Sequence, residues 1–432
     1  GCLHDSCRHE TWQTLRSKLE PGWKTSKNTQ ESSAAGENPK ESPADRLIRL
    51  AEACELFHTS LGEPYATVSQ GKYRRNLSLL SRQFRQWLTR EYYEGTGKAV
   101  SSDAMLQALG VLEAKAMYDG PEKKLYLRVA GNEAKFFYDL CDSDGNVLEI
   151  DCNGFGIATD PPDIFRRTKN MKAQVMPAPS GDARLLANHV RGKTLDDEIL
   201  FVVTVGTCFI PGIAHPIQVT AGEKGAAKTT TMKMLRRIID PANRDLYALS
   251  SSDQDLALIL ANNYGVSFDN IDSLSARQSD MLCMASTGGG ISKRSLYTDS
   301  EETILEFKHC VGLNGINVVA TRADLLDRSI ITELERIPAK QRKEERVVWE
   351  SFEKDLPAIL GGYFSALAKA IQIYPTVQIN ELPRMADYCR WGYALAEAIG
   401  YGGQAFLDAY FRNIGRANEN AILEDPVADA VV

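Results

Sequence analysis

Apolar and polar positions change their period several times along the chain. Over residues 46–57, 77–93 and 103–118 apolar side chains recur every three or four positions, which predicts three helices. Residues 136–140 and 147–151 read instead as strands flanking Asp142-Ser143-Asp144-Gly145, a hairpin turn. From 199 to 214 sixteen residues carry no charge, but Pro211 and Gly212 interrupt them. That run is shorter than the roughly 18–20 apolar residues of a bilayer crossing, so it predicts a buried helix. Short apolar runs at 216–219, 264–270, 311–316 and 330–337 read as strands, with Met232, Leu235, Ile238 and Ile239 at helical spacing between the first two. Beyond 337 the pattern is helical. Ile359, Leu360, Tyr363, Phe364, Leu367 and Ile371 share one face after Pro357, which suits a first helical turn, and 385–399 and 405–417 continue the pattern.

The expected organisation is an α/β core at 182–340, an α+β accessory domain at 46–181 and a C-terminal helical lid at 341–432 that reads as truncated. Residues 24–45, rich in Ser, Lys, Glu, Asn and Gly, read as a linker. Residues 1–23 look like the remnant of an upstream segment, in which Cys2, His4, Cys7 and His9 resemble half a zinc site. Their spacing is irregular for a complete tetrahedral knuckle, so an ordinary reduced terminus is preferred to Zn²⁺.

The chemistry concentrates where the first core strand meets its helix. Gly222-Glu223-Lys224-Gly225-Ala226-Ala227-Lys228-Thr229-Thr230 follows G-x-x-x-x-G-K-[ST], with Ala227 in place of the second glycine. Such a loop cradles the phosphates of a nucleoside triphosphate with backbone N–H groups at the positive end of a helix. Lys228 supplies a mobile cation, and Thr229 places a hydroxyl on the Mg²⁺ that bridges the phosphates. Asp269, at the end of the next strand, is the second Mg²⁺ candidate, since a carboxylate holds that ion largely through water. Asn270 follows where many ATPases carry a second acid, so the general base is unassigned; Asp272 or an acid supplied in trans are the candidates. Asn314 ends the third strand, where Asn314-Gly315 reads either as a turn signal or as an amide that orients water against the γ-phosphate. Arg328, just before the last strand, is read as an arginine that completes a neighbouring subunit's site, with Arg322 as its substitute and an ion pair to Asp324 or Asp327 as the alternative.

These motifs, with Thr287-Gly288-Gly289-Gly290, Leu296-Tyr297-Thr298-Asp299, Leu313-Asn314-Gly315-Ile316, Ala320-Thr321-Arg322 and Pro383-Arg384-Met385-Ala386-Asp387, are similar in order to the superfamily 3 helicase module. The resemblance is to poxvirus-type primase-helicases and to ATP-binding proteins of plasmids, phages and integrative elements, over about residues 46–420. It implies a P-loop NTPase core of the AAA+ type, a homo-hexameric ring that hydrolyses ATP with Mg²⁺, and single-stranded DNA in the ring's channel. It also implies a channel hairpin between the second and third motifs, with Lys293 and Arg294 at its basic tip, and a primase, fused or separate. Arg384 is the candidate second sensor. A slowly hydrolysing, nucleotide-gated DNA-binding or loading module is the alternative reading, and a metabolite kinase fits less well.

Composition adds limits. With 43% hydrophobic and 25% charged residues among 432, the chain is globular, and its net charge of −7 confines any nucleic-acid contact to a local surface. Arg74, Arg75, Arg82, Arg85 and Arg90 are read first as a solvated face. Nine scattered cysteines and no secretory signal point to a reduced, cytoplasmic protein without membrane association.

Overall fold

The computed structural model describes residues 41–71, 73–162, 164–294, 302–315 and 323–424. The expectations for Cys2, His4, Cys7 and His9, for Arg322, and for most of the 24–45 linker lie outside them.

Ser42 caps helix α1 (Pro43–Ala51): its hydroxyl accepts the Asp45 N–H, and Pro43 occupies the first turn, where an N–H is not needed. Three strands follow, β1 (Glu55–His58), β2 (Pro64–Gln70) and β3 (Tyr73–Ser78), paired antiparallel in that order. They pack against α1 and two serine-capped helices, α2 (Arg82–Thr96) and α3 (Ser102–Ala114), around Leu47, Ala66, Val68, Phe84, Leu88 and Leu112. Helices were expected at 46–57 and 77–93, but Phe57 lies in β1 and Leu77 in β3. The second run crosses a helix boundary with Leu77 and Phe84 in one core, and the first keeps Leu47 and partly buried Leu56 against that core, so period-counting reads each as one continuous helix.

A four-stranded antiparallel meander comes next: β4 (Val129–Asn132), β5 (Lys135–Asp139), β6 (Val147–Asp151) and β7 (Gly154–Ile157). Asp142 Oδ1 accepts the Asn146 N–H at 2.8 Å and closes the expected hairpin between β5 and β6. Phe136, Tyr138, Leu148 and Ile150 join one hydrophobic cluster with the later helices, not with the core under β1–β3. The segment 46–181 therefore divides between these two cores, with a smaller cluster of its own around Ala130, Val147 and Phe165.

Helix α4 (Leu195–Thr207) starts with a capping box between Thr194 and Asp197 and is buried from Ile199 onward. It ends before the apolar run does, because the chain turns through Pro211 and Gly212, whose φ is 78°. The central elements are β8 (Ile217–Ala221), α5 (Lys228–Ile239), α6 (Asp253–Ala261), β9 (Gly265–Phe268) and α7 (Ala276–Thr287). They continue as the hairpin strands β10 (Gly289–Arg294) and β11 (Glu302–Phe307), then β12 (Cys310–Asn314), α8 (Ala323–Leu326) and β13 (Ser329–Glu333). β13, β8, β12 and β9 form a parallel sheet in that order, and Tyr247 adds an isolated parallel bridge to Phe268. One face packs on α5 through Met232, Leu235 and Ile238, and the other on α6 and α7 through Leu256, Leu260, Met281 and Leu282. Burial on both faces explains why these strands are apolar in runs and do not alternate.

The C-terminal helices are α9 (Glu345–Ile373), α10 (Ala386–Ile399) and α11 (Gly403–Glu424). Pro357 lies well inside α9, not in the expected first turn. Phe352 and Leu356 already belong to the buried face, so packing extends the helix past a residue that costs about 3 kcal/mol, and the Ala178 N–H donates to the Pro357 carbonyl at 2.8 Å. Gly361 is required there, since a Cβ would stand 2.2 Å from the Ala178 carbonyl oxygen. The helix is long and apolar enough to cross a membrane, yet 67% of its most apolar window is buried in the protein.

Candidate active site

The turn from β8 into α5 is shaped by three residues with positive φ. Gly222 has φ 143° and Gly225 φ 90°, and a Cβ on Gly222 would lie 3.0 Å from the Leu334 carbonyl oxygen. Ala227 also adopts the left-handed conformation, at φ 59° and ψ 30°, and forms the N-cap of α5 without a side-chain cap. A left-handed alanine costs about 1–2 kcal/mol, so the backbone path asked of the usual glycine is kept here at a price in strain. The first backbone bond of α5 runs from Thr231 N to Ala227 O, so the N–H groups of Lys228, Thr229 and Thr230 precede the helical ladder and point out of it. Lys228 Nζ folds back to donate to the carbonyls of Gly222 at 2.7 Å and Glu223 at 3.2 Å.

β9 delivers Asp269 beside this loop. Its Oδ1 accepts the Thr229 hydroxyl at 3.3 Å and the Asn270 N–H at 3.0 Å, and it also accepts Asn314 Nδ2 from the end of β12. Parallel pairing of Leu313 with Phe268 and of Asn314 with Thr220 sets the three strand ends level. Lys228, Thr229, Asp269 and Asn314 are thus brought together as the sequence expects. Asn314 is buried and its Oδ1 has no partner. Asn270, exposed and left-handed at φ 54°, and exposed Asp272 make no side-chain hydrogen bond to this cluster among the described residues.

Two arginines beyond β13 complete the surroundings, and neither was expected. Arg336 pairs with Glu223 at 3.4 Å, both exposed. Arg342 Nη2 lies 3.1 Å from the position a Cβ on Gly225 would take, so its guanidinium covers the loop. It sits in the basic stretch Lys340-Gln341-Arg342-Lys343, where nothing in the spacing distinguishes it.

Arg328 lies elsewhere. Ser329 pairs with Ile217 at the start of β8, so Arg328 is at the opposite end of the sheet from the loop, a strand length of roughly 16 Å away. It donates to the Asp324 carbonyl at 3.0 Å and pairs with the Asp324 carboxylate, the ion pair named as the alternative. Arg384 bridges Asp324 at 2.6 Å and Asp327 at 3.1 Å and is thereby removed from the loop, which corrects the expectation of a second sensor. The Arg328 hydrogen bond holds the Asp324 carboxyl below its ordinary value, against the opposing effect of burial. Lys293 and Arg294 end β10, where Arg294 pairs with Glu302 of β11; an antiparallel hairpin stands where one was expected, and the rest of its tip lies outside the described residues.

Sequence comparison with curated proteins gives no match. Among solved structures the chain is similar to the apo C-terminal region of NrS-1, at 11% identity and TM-score 0.42, with 84% of this chain and 91% of that one covered. It is also similar to an A form of that region, at 12% identity and TM-score 0.40 over 74% and 67% of the two chains. A full-length MCM homologue from Methanopyrus kandleri aligns at 10% identity and TM-score 0.34 over 79% and 90%. At these scores the likenesses add nothing to the reading of the site. Residues 184–418, more than half of the chain and inclusive of every site residue above, match a family of replication proteins, and the chain therefore belongs to the actinomycete integrative conjugative element replication proteins, the AICE RepA family.

Proposed function

We propose that this replication protein is an ATP-hydrolysing motor of the superfamily 3, AAA+ type that moves along DNA as a ring. The observation that carries the reading is the meeting of Lys228, Thr229, Asp269 and Asn314 at the level ends of β8, β9 and β12, beside a loop whose N–H groups face outward. Lys228 and the first turn of α5 hold phosphate; Thr229 and Asp269 are the residues that would hold Mg²⁺, which supplies charge neutralisation at the phosphates. Asn314 is the polar group best placed to orient water. The deciding experiment is ATP turnover by the purified chain with and without single-stranded DNA, where stimulation supports the motor and turnover independent of DNA counts against it.

A second reading rests on Asn270. With an amide where a second acid is commonly found, and no other carboxylate bonded to the cluster among the described residues, the site suits a slowly hydrolysing, nucleotide-gated DNA-binding or loading module. Nucleotide-dependent DNA affinity with negligible turnover is its signature.

Assembly is tested through Arg328. Distance bars it from its own loop, so in a ring it serves a neighbour's nucleotide once it releases Asp324. Arg328→Ala is expected to bind ATP normally and be inactive alone, with a loss of about 10³-fold or more. Mixing it with Lys228→Ala subunits should restore part of the activity through composite sites, since a purely internal ion pair cannot be rescued by a partner. No recovery in verified mixed rings removes the trans role.

The β10–β11 hairpin is the proposed DNA contact. Replacing Lys293 and Arg294 with alanine should preserve basal turnover, reduce stimulation by DNA and flatten the slope of log affinity against log salt by about 1.4, at ~0.7 per phosphate contact for single strands. An unchanged slope with unchanged stimulation would redirect attention to the arginines of β3 and α2.

A further inference from the structure

Three chemically distinctive side chains meet at the end of the parallel sheet remote from the phosphate-loop candidate. Cys208 caps the C-terminus of α4, His215 precedes β8 and Cys310 opens β12, and their ligand atoms all lie within 4.8 Å of one another. They are 1%, 2% and 5% exposed. The groups around them are incompletely satisfied. Gln218 donates its amide N–H to Cys208 Sγ at 3.4 Å, but its Oε1 is buried without a partner. His215 Nδ1 is likewise buried without a partner, while Nε2 faces Tyr264 Oη at 3.4 Å. Tyr264 in turn donates to the Cys208 carbonyl at 2.6 Å. Buried polar atoms are paired in the great majority of cases, and here two unpaired ones adjoin two thiols.

We propose that Cys208, His215 and Cys310 bind one zinc-class divalent ion, with the amide oxygen of Gln218 as fourth donor after rotation about its terminal torsion. Two sulfurs, one imidazole and one oxygen form a soft donor set of tetrahedral type, which selects zinc over magnesium or calcium. Bond lengths of about 2.3 Å to sulfur and about 2.0 Å to nitrogen put neighbouring ligand atoms roughly 3.5–3.8 Å apart, so a contraction of about 1 Å at the widest pair completes the cage. On binding, both thiols release their protons to solvent. The ion's two positive charges and the two thiolates then sum to zero, and the interior receives a neutral unit, not a net charge. With all three ligands buried, the ion enters as the chain folds and joins the end of α4 to the starts of β8 and β12. Its role is structural, and it is independent of the nucleotide chemistry proposed above.

The test uses the full chain carrying Cys2→Ser and Cys7→Ser, which silences the N-terminal Cys/His segment. Produced with zinc supplied, it should retain about one equivalent of zinc through dialysis against EDTA and release it only on unfolding in guanidinium. Refolded with cobalt(II), it should show thiolate-to-cobalt charge transfer and the d–d bands of a tetrahedral site. Adding Cys310→Ser should abolish both signals, whereas adding Cys141→Ser should leave them intact. Zinc content below about 0.1 equivalent, cobalt spectra without thiolate bands, or retention of metal by the folded Cys310→Ser protein overturns the proposal. So does a Cys208–Cys310 disulfide found in place of metal. Should Cys310→Ser fail to fold, the zinc and cobalt results on the parent decide.

Discussion

Lys228→Ala is expected to abolish ATP turnover and to weaken ATP binding by about 2–4 kcal/mol, the cost of losing a close charged contact in a partly desolvated site. The Lys228 ammonium is held over the loop by the Gly222 and Glu223 carbonyls, and displacement of those contacts by phosphate oxygens is the step the substitution removes. Binding should survive in part, because the N–H groups at the start of α5 remain and Arg342 still covers Gly225. Asp269→Asn separates the two functions: it keeps the cation at the loop and removes the carboxylate that joins Thr229 to Asn314. It should spare most of the affinity and eliminate Mg²⁺-dependent turnover. Titration with a fluorescent ATP analogue and a phosphate-release assay read the two effects independently. Unchanged hydrolysis in Lys228→Ala would falsify the site.

The residues that make this site were legible because each is announced by its own neighbourhood. A glycine-bearing loop before a helical run, an acid ending one apolar stretch and an amide ending another can all be found without knowing the fold, and parallel pairing then makes their convergence unavoidable. Arg342 and Arg384 illustrate the opposite case. One reaches the loop from beyond β13 and the other is taken away from it by Asp324 and Asp327, and both outcomes depend on where distant segments lie. Ala227 stands in the sequence only as a replacement for the second glycine, and its left-handed backbone is a demand of the turn that no side-chain pattern records. The small sheet β1–β3 was missed for a local reason. Tyr73-Arg74-Arg75-Asn76-Leu77-Ser78 lacks the β-branched alternation of an ordinary strand, and buried Asn76 is held by its amide N–H to the Phe165 carbonyl at 3.1 Å and by accepting the Thr67 hydroxyl at 2.8 Å.

Asp240→Asn should destabilise the fold by about 3–5 kcal/mol, since it strips the charge from a buried ion triad and leaves two cations uncompensated. Arg128 and Asp240 are fully buried, with Arg128 Nε 3.0 Å from Asp240 Oδ1 and Arg236 Nη1 3.2 Å from Oδ2. The same carboxylate accepts the N–H groups of Tyr264 at 3.0 Å and Gly265 at 3.1 Å, fixing the start of β9. Arg128 also donates to the carbonyls of Asp139, Lys172 and Pro241. The triad therefore ties the antiparallel meander to the end of α5 and the parallel sheet. Burial pushes the Asp240 carboxyl up, but Arg236 and Arg128 more than offset that and hold it below its ordinary value. A carboxylate depressed in the folded state stabilises fully above the unfolded value of about 3.9 and less as pH falls through the folded one. Denaturant unfolding of wild type should thus lose stability as the solution is taken below that range, and Asp240→Asn should lose less over the same interval. Pairing Asp240→Asn with Arg236→Met should recover part of the loss, because it removes one of the stranded charges. An Asp240→Asn protein within about 1 kcal/mol of wild type near neutral pH would show that the charge of Asp240 does not hold the meander in place.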